Sequence, residues 1–196
     1  ALIQPTGAKV VLLGDTAQTK AIEAGRAFAM LQEHGMKTVL MGDIQRQRTA
    51  RLRQAVAGLL ALMPATMAIC APNLNAFRRL QPGLYVPMAP TWGFDNRSVA
   101  LRIPAGPRAA RRIEHRVAGA DANPYLLLAA LLAAIHHGLA EGLEPPPPSV
   151  GNAYDQVAPS LTNSWQQALD LLEADAVLGE ALGRDFLHVY LANRRA

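Results

Sequence analysis

Arg111-Arg-Ile-Glu-His-Arg116 packs three arginines and one glutamate into a single short run, and Arg97 and Arg102 stand just upstream in Asp95-Asn-Arg-Ser-Val-Ala-Leu-Arg-Ile-Pro104. From Arg112 to Val117 the charged residues fall at every second position. An extended strand therefore puts Arg112, Glu114 and Arg116 on one face and Ile113, His115 and Val117 on the other. Val99, Leu101 and Ile103 alternate in the same way with Ser98, Ala100 and Arg102, which predicts a second half-buried strand with Arg97 at its entry and Arg102 on its polar face. Two such strands make a basic platform for a polyanion. A guanidinium fork stays charged and bonds phosphate or carboxylate oxygens in pairs, and a lone carboxylate among arginines is placed to hold a divalent cation on the same phosphates. A solvated sheet face carrying Glu–Arg cross-pairs has the same pattern, and alternation alone does not separate the two.

These strands need a helical support. Leu52, Val56, Leu59, Leu60 and Met63 mark one face of a helix that Pro64 is expected to end. Asn123 and Pro124 begin an apolar run to Ile135, too short to span a bilayer, which predicts a buried helix. His136 and His137 close it as C-terminal residues favoured by the helix dipole, with no partner at metal-ligand spacing. Pro145 to Pro148 is a stiff extended connector used as a spacer. Beyond it, Trp165, Leu169 and Leu172, then Phe186, Val189 and Tyr190, predict two more amphipathic helices.

Three ordered motifs carry a family likeness: Ala71-Pro-Asn-Leu-Asn-Ala-Phe-Arg-Arg-Leu-Gln-Pro-Gly83, Asn96-Arg-Ser-Val-Ala-Leu-Arg-Ile-Pro104 and Arg112-Ile-Glu-His-Arg-Val-Ala-Gly-Ala-Asp-Ala-Asn-Pro-Tyr125. With them, residues 50–196 resemble the C-terminal catalytic part of glutamine synthetases, most closely the γ-glutamylpolyamine (γ-glutamylputrescine) synthetase branch. The resemblance implies a role for each residue. Arg79 and Arg116 would hold the carboxylate of glutamate, Arg97 would reach the transferred γ-phosphoryl group, Arg102 and Arg112 would contact the nucleotide, and Glu114 would bind metal. The implied cofactors are ATP and Mg²⁺ or Mn²⁺. The implied reaction has two steps: ATP phosphorylates the side-chain carboxylate of glutamate, and an amine, either a polyamine or ammonia, then displaces phosphate to leave an amide. Cations aimed at the equatorial oxygens of the phosphoryl group serve such a transfer. Family members form homo-oligomeric rings.

The sequence departs from the family at three places. After Pro82-Gly83, ammonia-using members carry a flap glutamate, whereas Tyr85 stands here, and an apolar rim suits an alkyl amine better than ammonium; the alternative is that Tyr85 only packs the loop. The family's other metal-binding glutamates and its N-terminal domain have no counterpart before residue 50, so half an active site is expected. The chain also stops short of the family's final helices. Residues 1–47 instead resemble a superfamily 1 helicase fragment of conjugative relaxase type. The likeness rests on the strand Lys9–Leu13 running into Gly14-Asp-Thr-Ala-Gln18, on Lys20-Ala-Ile-Glu-Ala-Gly-Arg-Ala-Phe28, and on Gln45-Arg-Gln47. Gln18 and Arg46 would be its phosphate-sensing residues, yet the chain has no Gly-x-x-x-x-Gly-Lys-Ser/Thr loop, which argues against a working motor.

Composition bounds the rest. The 196 residues are 51% apolar, enough for a core, and the net charge of +4 is modest. Arginines scattered among the motifs, with few aromatics between them, make a weak case for nucleic acid as a partner. Cys70 is the single cysteine and lies in an apolar run, which fits a core residue in a reducing cytoplasm. No leader pattern is evident at the start, and neither that nor the hydropathy predicts a membrane partner. The expected architecture is α+β, curved antiparallel strands with surrounding helices after a short α/β piece. The expected function is an ATP-dependent glutamate–amine ligase. The competing readings are a non-catalytic fused remnant, binding nucleotide weakly or joining other subunits, and a nucleic-acid-dependent ATPase fragment.

Overall fold

The computed structural model describes residues 49–81, 83–106 and 111–195, all within one compact unit, Ile44–Ala196. The helicase-like residues 1–47, Gln18 and Arg46 among them, lie outside the described residues. The described elements are helix α1 (Thr49–Cys70), a single 3₁₀ turn (Ala76–Arg79), strands β1 (Trp92–Phe94), β2 (Leu101–Ile103) and β3 (Glu114–His115), and helices α2 (Pro124–Ala140), α3 (Ala153–Gln156), α4 (Trp165–Ala174), α5 (Ala176–Leu182) and α6 (Arg184–Arg195).

Helix α1 is the axis of the core. Pro64 does not end it: the helix continues for another turn and more to Cys70. A proline here lacks the N–H for the Leu60 carbonyl, a defect that costs on the order of 3 kcal/mol in an isolated helix. Burial offsets that cost, because Ala65, Thr66, Met67, Ala68, Ile69 and Cys70 are all removed from solvent. The Thr66 hydroxyl donates back to Met63 O at 2.9 Å within this stretch. Among the described helices α1 alone has the length and hydropathy of a bilayer span, and 78% of that window is buried inside the protein, so core packing accounts for it.

α2 begins as its sequence implies. The Asn123 side chain accepts from Tyr125 N and Leu126 N, with Pro124 in the first turn. It stops where Gly142 takes a φ of 62° and Leu143 N bonds Gly138 O. The expectation that the helix is buried all round does not hold. Only Ala130, Ala134 and Gly138 are buried, while Tyr125, Leu128, Leu132 and Leu139 face out at helical spacing. The small residues face α1 because the two helices cross main chain to main chain: a Cβ on Gly58 would land on the Ala134 carbonyl oxygen and 2.7 Å from Gly138 N.

The sheet order is β1-β2-β3 and it is mixed, not antiparallel throughout. β2 and β3 are antiparallel, with Arg102 opposite Glu114 and Leu101 opposite His115. β1 and β2 are parallel, with Trp92 opposite Leu101. Parallel neighbours ordinarily need a crossover of a dozen or more residues. Here each strand has only three, so residues 95–100 need to run back about 10 Å, within reach of a short loop. Asp95, at φ 46°, makes the reversal.

The proline run does more than space two parts. The Trp92 indole N–H donates to Pro146 O at 2.7 Å, and Ser149 N donates to Trp92 O, so the extended segment lies along the free edge of β1. Beyond it stand four helices among the described residues, α3 to α6, not two. α4 buries Leu169 and Leu172 against α1, as the spacing implies, and Trp165 meets the Phe77 ring edge-on at 5.8 Å. α6 buries Tyr190, as expected, but beside it Leu187 and Leu191, whereas Phe186 and Val189 are exposed. The Tyr190 hydroxyl donates to Ala68 O on α1 at 3.1 Å.

Cys70 has no exposed surface, and burial pushes its thiol up to about 11. The thiolate is the reactive form. Thiol-directed labelling of the native protein should therefore be negligible at neutral pH and become stoichiometric only in denaturant, read by mass spectrometry; prompt native labelling would contradict the packing of α1.

Candidate active site

The cross-strand pair Arg102–Glu114 is the centre of the charged surface. The Arg102 guanidinium donates to Glu114 Oε2 at 3.2 Å and to Asp95 Oδ1 at 2.5 Å, while Arg112 donates to Glu114 Oε1 at 2.9 Å. The alternation from Arg112 to Arg116 thus does put Arg112 and Glu114 together on the polar face. The regular strand itself is shorter than the alternation implies, only Glu114–His115. On the opposite face Val117 is fully buried, and burial holds the His115 imidazole down to about 4, so it is neutral at ordinary pH.

Arg97 is exposed at the end of the β1–β2 loop and lines, with Asp95, Asn96, Arg102 and residues 148–151, an open cleft of about 560 Å³. Its guanidinium makes no hydrogen bond or salt bridge among the described residues. Asn96 holds the loop that presents it. The Asn96 amide donates to Ser149 O at 3.2 Å and Gly151 O at 2.8 Å, and its oxygen accepts from Ser98 N and Ser98 Oγ. The Arg116 guanidinium reaches back to the Arg97 and Val99 carbonyl oxygens, and Arg79 donates to Val117 O. Of the six residues singled out from the sequence, Arg102, Glu114 and Arg112 are joined side chain to side chain, while Arg116 meets the backbone of the loop that carries Arg97 and Arg79 meets the backbone next to Arg116. Two of them, Arg79 and Arg116, are held against backbone in this structure.

Three participants carry no role in the sequence reading. Asp95 is one: the hydrogen bond from Arg102 holds its carboxyl below the usual range, and the same pairing raises Arg102. The others are Asn73 and Asp121. Asn73 Oδ1 accepts at 2.9 Å from the N–H of Ala76, the first residue of the 3₁₀ turn that carries Arg79, and its Nδ2 donates to Asp121 Oδ2 at 2.7 Å. An asparagine three residues before a short helical turn is a capping signal that the motif itself contains. Asn73→Ala should cost about 1 kcal/mol of stability, as denaturant titration would read.

Tyr85 is 82% exposed with φ 54°, so it does not pack the loop. A left-handed aromatic residue is uncommon. Among the described residues no three His, Cys, Asp or Glu side chains converge as a cation site. Glu114 can give one carboxylate to a divalent ion that takes about six oxygen ligands, so the described residues do not complete a metal centre.

Fold and surface together define an α+β domain whose charged cleft carries one arginine from a strand, Arg102, and one from the loop before it, Arg97, suited to phosphate and carboxylate ligands. Residues 27–196 match the family described as glutamine synthetase, catalytic domain, and the chain belongs to that family. The match begins inside the segment assigned above to the helicase-like fragment. Gamma-glutamylputrescine synthetase PuuA of Escherichia coli (strain K12) is 47% identical over 141 residues, which are 72% of this chain and 30% of that protein. Gamma-glutamylethanolamide synthetase GlnA4 of Streptomyces coelicolor (strain ATCC BAA-471 / A3(2) / M145) is 37% identical over 139 residues, 71% of this chain and 30% of that protein. The solved structure of apo GmaS without ligand superposes with a TM-score of 0.65 at 28% identity, covering 79% of this chain and 36% of the other. The chain spans about 30% of the length of the curated relatives it matches.

Proposed function

We propose that the chain supplies the arginine wall of an ATP-dependent glutamate–amine ligase site, one that forms a γ-glutamyl amide through γ-glutamyl phosphate. The observation that carries this reading is the register that sets Arg102 opposite Glu114, with Arg112 on the same carboxylate and Arg97 at the lip of the same cleft. Arg97, with its guanidinium free among the described residues, meets the phosphoryl group in transfer. Arg102 and Arg112 meet the nucleotide phosphates, exchanging some of their contacts with Glu114 for phosphate oxygens. Arg79 and Arg116 bind the carboxylate of glutamate, swinging from the backbone carbonyls they hold now. Glutamine synthetases use ATP and divalent metal ions, and a cation here would neutralise phosphate charge with Glu114 as one of its ligands.

The acceptor is an alkyl amine in preference to ammonium. Tyr85, exposed at the flap, offers an aromatic rim and no carboxylate to bind a small cation. Relatives named for putrescine and ethanolamide products support that choice. The test is calorimetric titration of the purified chain with ATP and Mg²⁺, with and without glutamate, followed by phosphate release with putrescine or ammonium. ATP binding with phosphate release that depends on putrescine is the expected result. Absence of ATP binding in a folded chain would reject the reading in favour of a non-catalytic remnant.

A further inference from the structure

The arginine cleft holds a negative charge of its own. Among its lining residues only Asp95, Arg97 and Arg102 are charged, and the Asp95 carboxylate sits on Arg102. No role above uses that carboxylate. The Arg102 guanidinium is divided between two partners: Nη1 donates to Glu114 Oε2 and Nη2 to Asp95 Oδ1 at 2.5 Å, while Nε is buried without a partner among the described residues. A phosphate oxygen entering the cleft therefore meets an arginine already paired on both terminal nitrogens.

The two carboxylates are not equally easy to displace. Glu114 has 30% of its side chain exposed, also bonds Arg112 and does not line the cleft. Asp95 has 57% exposed, lines the cleft and bonds no other side chain among the described residues. Moving its carboxylate aside leaves the loop in place. Asp95 N still donates to Ile103 O at 2.9 Å, and Asn96 still clamps Ser149 O and Gly151 O. The Arg102 contact keeps the Asp95 carboxyl ionised to a lower pH than usual, so the negative charge is present at neutral pH. We infer that Asp95 is an internal competitor for the phosphate site: it occupies Arg102 while the cleft is empty, and a polyphosphate must displace it to reach that guanidinium. The inference rests on the ligase reading, in which Arg102 meets the nucleotide phosphates, and adds a control on affinity. A ligand binds more weakly in proportion to the fraction of molecules in which Arg102 is released. The same contact closes again behind a departing nucleotide, which keeps the cleft from holding a product polyphosphate tightly.

The experiment is calorimetric titration of the full chain with inorganic triphosphate, for the wild type, Asp95→Asn, Arg102→Met and the double variant. Asparagine keeps the shape and tolerates the left-handed φ of 46° at position 95, so the change removes the charge alone. Asp95→Asn should bind triphosphate about ten-fold tighter and yet unfold at a lower temperature, because an ion pair is lost. A merely structural residue would lower affinity and stability together. In the Arg102→Met background the gain should shrink to about two-fold or vanish, since only screened repulsion is left to remove. Equal or weaker binding by Asp95→Asn, an undiminished gain without Arg102, or no triphosphate binding by either the wild type or Asp95→Asn would overturn the inference. Tightened binding in a chain that releases no phosphate with glutamate and amine sinks only the ligase reading. Amine-dependent phosphate release with a triphosphate affinity indifferent to Asp95→Asn sinks only the competitor. Circular dichroism of each variant separates these outcomes from misfolding.

Discussion

Gly58→Ala should destabilise the protein by about 3 kcal/mol, despite alanine being the better helix former. The added methyl would land on the Ala134 carbonyl oxygen and 2.7 Å from Gly138 N, both main-chain atoms of a helix that cannot yield as a side chain yields. Relief requires α1 and α2 to move apart, which opens a gap along a close-packed seam and loses dispersion contacts on both sides. For a chain of this size the cost corresponds to a fall of about 6–12 °C in Tm. Gly179→Ala is the control, because a Cβ there meets only Leu187 Cδ2 at 3.8 Å, and helix propensity should make that change neutral or stabilising. Thermal unfolding followed by circular dichroism reads both. Equal behaviour of the two variants would mean that α1 and α2 do not cross at the glycines.

Arg97→Ala should lower glutamate- and amine-dependent phosphate release by about 10²–10³-fold, the loss expected when one donor to a developing oxyanion is removed. It should leave Tm unchanged. Its guanidinium is exposed and makes no contact among the described residues, so no fold interaction goes with it. Arg102→Met makes the opposite comparison. Arg102 ties the β1–β2 loop to β3 through Asp95 and Glu114, with only 20% of its side chain exposed, so its loss should lower both activity and Tm. The Arg102 contact also has a pH signature. Asp95 has a folded pKa below its unfolded one, so its contribution to stability is present above the unfolded value and is lost as pH falls through the folded value. Arg102→Met should flatten that acid-side loss, as denaturant titrations over the acid range would read. Arg97→Ala should not. If both variants lowered Tm equally, Arg97 would have to be a structural residue.

The alternation of charge from Arg112 to Arg116 was enough to place Arg112 and Glu114 on one face, because period two is a property of any extended backbone, whatever it pairs with. The motif Asn123-Pro124 was likewise enough to start α2, since cap and first turn are local. Pairing partners are not local. That Arg102 lies opposite Glu114, that Asp95 belongs to the same network and that the proline run closes the edge of β1 all depend on register and on contacts between residues far apart in the chain.

By itself the sequence determined the residue types of the candidate site, the shared strand face of Arg112 and Glu114, the cap of α2 and its membership of the glutamine synthetase family. The tertiary structure decided what periodicity leaves open. Burial carried α1 through Pro64, a main-chain crossing required Gly58 and Gly138, and burial of Leu187 and Leu191 beside Tyr190 left Phe186 and Val189 of α6 facing out. The reason is the same in each case. A local pattern specifies which side chains share a face, but only the neighbour that packs against it supplies the free energy that chooses among faces, lengths and partners.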